Sequence, residues 1–235
     1  MTLTIKDVEY AFRWCPPGTF MMGSPTSEEG RFANETQHQV TLSRGFWMLE
    51  TEVTQNMWES VMGNNPSEVK GTKLPVNTVS WNDCQEYITK LNTHLAGTPG
   101  TDFKFSLPTE AQWEYACRAG TTTAYHFGNS LSADQANFDR NVSQPKEVGS
   151  YPANAWGLRD MHGNIWELCL DRYGDYPSGT VTDPTGAQQG SRRVVLRGGG
   201  WLSHAWDCRS AYRDGHTPSL GFSIVGFRLA LVRAE

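Results

Sequence analysis

The order of apolar and polar positions divides the chain into two unlike halves. Residues 8–23 read Val-Glu-Tyr-Ala-Phe-Arg-Trp-Cys-Pro-Pro-Gly-Thr-Phe-Met-Met-Gly, which predicts two short strands around a Pro-Pro-Gly turn. Residues 24–37 are polar and read as a loop. From His38 to Glu52 alternation returns at Val40, Leu42, Phe46 and Met48, and predicts a hairpin. Three helical patterns follow. Thr54 is placed to cap the first, with Trp58, Val61 and Met62 on one face and Gly63 at its end. Ser80 opens the second, with Trp81, Cys84, Tyr87, Ile88 and Leu91 at helical spacing. Thr109 opens the third, with Gln112 three residues on as the partner of a capping box and Gly120 as the stop. From residue 121 onward no helical pattern recurs. Val194–Trp201 predicts a strand running into a glycine turn, and Val225–Val232 a closing strand.

Composition agrees with an irregular fold. The 235 residues include 23 Gly and 9 Trp, so glycines supply positive φ in loops while aromatics fill the core. No linker-like run separates two halves, and the expectation is a single domain over residues 1–235. A net charge of -5 without a basic stripe argues against nucleic-acid binding. No apolar run is long enough to span a membrane, and no signal peptide opens the chain. The five cysteines, Cys15, Cys84, Cys117, Cys169 and Cys208, are scattered, odd in number and without a CxxC pair. That spacing argues against both a disulfide scaffold and a zinc site.

The segment Asp160-Met161-His162-Gly163-Asn164-Ile165-Trp166-Glu167 carries the clearest candidate chemistry. Asp160 and Glu167 offer hard oxygen ligands, and Gly163 lets the chain bend so that backbone carbonyls turn inward. Calcium takes six to eight such oxygens. A plain turn into a strand, with Glu167 solvated, accounts for the same residues.

Several segments in order resemble the formylglycine-generating enzyme (sulfatase-modifying factor) superfamily. They are Pro17–Gly23, Glu52-Val53-Thr54, Pro75-Val76-Asn77, Leu107–Ala116, Trp156-Gly157-Leu158, the 160–169 stretch, Arg197-Gly198-Gly199 and Gly226-Phe227-Arg228. The resemblance implies an α+β fold of the C-type lectin type in its formylglycine-generating-enzyme subtype, with few helices. It also implies a structural calcium ion held by the side chains of Asp160 and Glu167 and the carbonyls of Gly163 and Ile165. The family's second calcium loop, beginning near Asn137-Phe138, lacks its acidic residue between Val142 and Val148 here.

Oxidases of that superfamily hold copper(I) with two cysteines five residues apart, just after the Arg-Gly-Gly turn. The second position is Cys208 and the first is Ser203. A hydroxyl is a hard ligand and does not replace a thiolate on a soft ion, so no copper is expected. The histidines at 38, 126, 162, 204 and 216 show no metal-binding spacing.

Residues 201–225 have a second resemblance. Trp201, Ala205-Trp206, Cys208–Ala211, Arg213 and Pro218-Ser219 read as fixed pieces. Between them stand Leu202, Ser203, His204, Asp207, Tyr212, Asp214, Gly215, His216, Leu220, Phe222, Ser223 and Ile224. The eight residue types at these twelve positions are each reachable from an Asn codon by replacing adenines. The layout is similar to the variable region of proteins diversified by retroelements, which implies a ligand-binding surface on a C-type lectin scaffold. The reading reached from sequence is therefore a monomeric, non-enzymatic binding protein whose variable surface takes an unknown protein or other ligand. By analogy it sits at a cell surface, with a lipid anchor on a leader absent from this sequence. A sulfur-oxidising enzyme built on Cys208 is the alternative.

Overall fold

The computed structural model describes residues 1–95, 102–187 and 192–234. Three sheets and three helices are present among them. The largest sheet has the order β1 (Thr2–Ile5), β2 (Val8–Cys15), β5 (Phe46–Leu49), β12 (Ala230–Arg233), β6 (Phe103–Ser106). The second runs β10 (Asp214–His216), β9 (Val194–Arg197), β7 (Trp166–Arg172), β11 (Val225–Gly226). The third is β3 (Gly18–Met22), β4 (His38–Leu42), β8 (Val181–Thr182).

The helices form where capping residues stand. Thr54, Ser80 and Thr109 each accept a hydrogen bond from a backbone N–H three residues on, at the starts of α1 (Gln55–Met62), α2 (Trp81–Thr93) and α3 (Glu110–Arg118). Gly63 closes α1 in the left-handed conformation as expected. At the end of α3 the left-handed residue is Ala119, one position before the expected glycine. After α3 the described residues form only a short 3-10 helix, Ala205–Cys208.

The strand pairings depart from the sequence reading at two points. β4 and β5 do not form a hairpin: β4 lies between β3 and β8, whereas β5 lies between β2 and β12. Alternation reports that one face is buried, not which strand lies alongside. Gly45, in the link, passes under Trp14, where a Cβ would stand 2.3 Å from the ring. The closing strand is likewise two pieces, β11 paired parallel to β7 and β12 paired to β5 and β6. Phe227, Arg228 and Leu229 cross between the sheets and are all fully buried.

Two apolar clusters hold these layers. One gathers Phe12, Trp58, Tyr87, Phe105, Leu168 and Phe227 between α1, α2 and the large sheet. The other gathers Val40, Met48, Trp113, Met161 and Cys169 around α3. β7 and β9 contribute to both, which makes the second sheet the platform on which the C-terminal segment rests.

Candidate functional site

The site is built on the first residue of β7. The Trp166 N–H donates to the Ile224 carbonyl at 2.8 Å, and its ring stands 5.8 Å from the Tyr212 ring. A Cβ on Gly200 would lie 3.2 Å from the same indole. Trp166 therefore joins both ends of segment 201–225. The turn before the segment needs its glycines: Gly199 has φ +72, and a Cβ there would reach 2.5 Å from Cys208 Sγ. The loop that follows is tied down by Trp201 N–H on Asn164 O (2.9 Å), Asp139 N–H on Ser203 O (2.7 Å) and Arg140 N–H on Trp201 O (2.8 Å).

Of the twelve positions expected to meet a ligand, Leu202, Ser203, His204, Asp207, Tyr212, Asp214, Leu220, Phe222, Ser223 and Ile224 are exposed or half-exposed. The interleaved Cys208, Arg209, Ser210, Ala211 and Arg213 are buried. Phe222 is 51% exposed and Leu220 48%, which is unusual for large apolar residues and sets them apart from the core. Gly215 and His216 depart from the expectation. Gly215 pairs with Val195 in the sheet beneath Tyr173, and His216 holds the Leu220 carbonyl through Nε2 at 2.8 Å, so both serve the scaffold. Trp206, read as scaffold, is 48% exposed, and its ring lies 4.3 Å from that of His204 at a tilt of 32°.

Arg209 anchors the segment to the polar loop 24–37, a relation that sequence reading did not find. Its Nη1 and Nη2 each donate to Glu35, at 2.8 and 2.7 Å, and further to Glu28 Oε1 (2.5 Å) and Gly30 O (2.7 Å). Its Nε donates to Trp206 O at 3.0 Å. The clamp sets Phe32, 46% exposed, edge-on to Tyr212 at 5.2 Å. Phe32 thus joins the exposed face from outside the C-terminal segment; an apolar residue in an otherwise polar loop was the one signal for it.

Around the expected calcium loop, Glu167 is buried and occupied. Arg228 donates to both its oxygens at 2.6 Å, and the Trp113 indole donates to Oε2 at 2.7 Å. It is not the solvated carboxylate of a plain turn: three hydrogen bonds already occupy it. Asp160 is different. Its Oδ2 accepts from Gly149 N at 2.5 Å, but Oδ1 is buried with no partner, as is Glu52 Oε2. Burial pushes the Asp160 carboxyl up to about 6 and that of Glu52 well above the usual range. A cation here fits Asp160; for Glu167 it would have to share oxygens with Arg228. Gly163, at φ +81, packs against the Asn137 carbonyl, where a Cβ would stand 2.3 Å away, so the tight bend predicted there is present.

Near the expected thiol position, Ser203 Oγ accepts from Gly200 N at 3.0 Å, and Cys208 is fully buried with its thiol pushed far up by burial. The Cys208 carbonyl meets His162 Nδ1 at 2.7 Å, and His162 Nε2 accepts from His126 N at 3.1 Å. Burial holds His162 down to about 3 and His126 down to about 4, so both are neutral at physiological pH. Cys117 Sγ is 3.5 Å from Ser210 Oγ and is raised to about 12 by burial. A thiolate is the nucleophile and the soft-metal ligand, so neither thiol is poised for that chemistry. Among the described residues no group of three or more His, Cys, Asp and Glu side chains is arranged to hold a metal ion.

Comparison with known proteins places this geometry. Residues 9–233 match the family described as Sulfatase-modifying factor enzyme 1-like domain. The chain is 36% identical over 237 residues to a formylglycine-generating enzyme of Streptomyces coelicolor, covering 88% of this chain and 71% of that protein. It is 39% identical over 163 residues to the serine/threonine-protein kinase pkn1 of Chlamydia caviae, which is 67% of this chain and 24% of that protein. The chain thus spans about a quarter of that curated relative's length. Among solved structures, Treponema denticola variable protein 1 superposes with a TM-score of 0.86 at 28% identity, covering 98% of both chains.

Proposed function

The chain belongs to the sulfatase-modifying factor enzyme 1-like domain family, and from that premise we propose that it is a non-enzymatic binding protein of one domain. Its fold is the formylglycine-generating-enzyme subtype of the C-type lectin fold, mostly sheet with three helices. Residues 201–225 present a ligand-binding face that retroelement mutagenesis diversifies. The observation that carries this reading is the division within the segment. Ten of the twelve chemically unrelated positions are exposed or half-exposed, while Cys208–Ala211 and Arg213 between them are buried; of the other positions read as fixed, Trp201, Ala205, Trp206, Pro218 and Ser219 also reach the surface. Such a face can change composition without disturbing the core. The likeness to Treponema denticola variable protein 1 supports it. Tyr212, Phe222, Leu220 and Phe32 supply apolar contact area; Ser203, His204 and Asp207 supply adaptable polar contacts. The protein acts at a cell surface, and a structural calcium ion stabilises the framework loop at Asp160. No helix among the described residues is long and apolar enough to cross a membrane.

The test is deep sequencing of this locus in one population. Excess substitution at Leu202, Ser203, His204, Asp207, Tyr212, Asp214, Leu220, Phe222, Ser223 and Ile224, with silence at Arg209 and Arg213, is the expected result. Uniform substitution across the segment would sink the reading.

The relatives that are formylglycine-generating enzymes sustain a second reading, a sulfur-oxidising enzyme using Cys208. It requires oxygen consumption with a thiol peptide and copper(I) binding that disappears in Cys208→Ala. The buried, protonated Cys208 thiol, and a Ser203 hydroxyl that accepts from Gly200 N–H, favour the first reading.

A further inference from the structure

A cleft of about 880 Å³ lies beside the exposed face, between the 25–30 loop and the 122–131 loop. Its volume is in the range of small-ligand pockets, ~300–1,000 Å³. From the C-terminal segment only Ala205, Trp206 and Arg209 line it, all three read as fixed. The cleft therefore keeps its chemistry while the neighbouring face changes.

That chemistry is anionic and aromatic. Arg209 is the one cation among the lining residues. Its five N–H groups are all occupied, by Trp206 O, Glu28, Gly30 O and the two oxygens of Glu35, so it has none to offer an anion. Glu28 and Glu35 place two carboxylates on that one guanidinium, and the exposed Glu29 adds a third. Glu35 lies buried behind the wall, so the lining itself holds two carboxylates against one guanidinium and leaves one negative charge uncompensated, on the exposed Glu29. Trp206 offers an indole that is 48% exposed although the ring of His204, a changeable position, stands 4.3 Å from it, and Thr122, Asn129 and Ser130 add polar groups to the lining.

We infer that this cleft binds an arginine side chain presented by the protein ligand. A guanidinium stacks on an indole and is attracted by its ring face, and its planar fork matches a carboxylate. Room beyond one side chain admits the residues flanking the arginine. The inference rests on the proposed reading in one respect, that the ligand is a protein. The constant cleft would give the protein a shared grip on a basic segment, and the changeable face would choose among ligands.

The experiment is an NMR titration of the full chain, following tryptophan indole N–H signals, with Nα-acetyl-arginine amide and with its uncharged isostere Nα-acetyl-citrulline amide. The Trp206 signal is assigned by its loss in Trp206→Phe. Its shift should saturate with the arginine probe, at least fivefold more weakly with the citrulline probe, and at least fivefold more weakly with arginine in Glu29→Gln. Glu29 and Trp206 are both exposed, so the variants retain the fold. Equal response to the two probes, an unchanged affinity in Glu29→Gln, or no saturable shift would each overturn the inference. Saturable arginine binding in a locus without excess substitution would remove the diversified face and leave the cleft; the reverse pattern would remove the cleft alone.

Discussion

Arg209 and Glu35, 174 positions apart in the chain, form a two-nitrogen, two-oxygen ion pair of 2.8 and 2.7 Å, with side chains 1% and 0% exposed. The pair fastens the segment that displays the proposed binding face to the loop that carries Phe32. A single substitution there is costly. Arg209→Ala strands the buried Glu35 carboxylate, and breaking a buried pair from one side costs about 3–5 kcal/mol. Urea unfolding should show a loss of that size. Arg209→Lys should recover only part of it, because an ammonium cannot reproduce the fork.

The exposed face should behave in the opposite way. A combined Leu220→Asn, Phe222→Ser, His204→Tyr variant removes no buried contact, and surface changes of this kind lie within about 0.5 kcal/mol each. Its urea midpoint should stay near that of the parent, with unchanged near-ultraviolet circular dichroism. A loss of several kcal/mol would mean that these side chains fill the interior.

Calcium and the Arg228 pair can be separated by two variants. With calcium present, a chelator should lower the melting temperature, and Asp160→Asn should shrink that difference because it alters the carboxylate with an open oxygen. Glu167→Gln should lose stability with and without the ion, by about 3–5 kcal/mol, because Arg228 is left buried against a neutral partner. A melting temperature indifferent to the chelator would remove calcium from the framework.

Asp171 gives a pH dependence of definite sign. Burial raises its folded-state carboxyl to about 8, with the Glu110 carboxylate adding to the shift. The unfolded chain releases this proton near the ordinary value of about 4. Between those limits the folded state binds more protons, so this group's contribution is greatest at low pH and declines as the pH rises toward 8. Asp171→Asn removes the decline while keeping an oxygen for the Glu110 N–H. It should be more stable than the parent at pH 8, by a few kcal/mol at most, and near parity at pH 4, measured by urea titration at both.

His126 shows the reverse sign. Burial lowers it to about 4, and neither ring nitrogen has a hydrogen-bond partner. Below pH ~6.5 the unfolded chain takes up a proton that the folded state refuses, so stability falls with acid. His126→Phe removes two unpaired buried nitrogens without losing a bond. Its melting temperature should exceed the parent's at pH 5 by more than at pH 7.5.

Much of the site's grammar was local and therefore legible. The twelve positions in 201–225 are singled out by residue types that an Asn codon can reach when its adenines are replaced, not by polarity: buried Arg209, Ser210 and Arg213 are polar, whereas Leu220 and Phe222 are apolar and exposed. Gly215 was misplaced because a glycine is equally at home on a surface and under a tyrosine ring; only the packing of Tyr173 distinguishes the two. Glu167 reads from sequence as a calcium ligand; its ion pair with Arg228, 61 residues on, leaves no signal in the sequence because nothing local links the two.

The sequence by itself determined the helix starts, the glycine turn after Arg197, the family and the segment that bears the candidate site, because caps, turns and ordered motifs act over a few residues. Only the tertiary structure decided which strands pair, that Phe32 stands beside Tyr212, and that Arg209 closes the wall of an anionic cleft. Those relations depend on chain crossings between sheets, where contact is set by the packing of the whole core and leaves no periodicity to read.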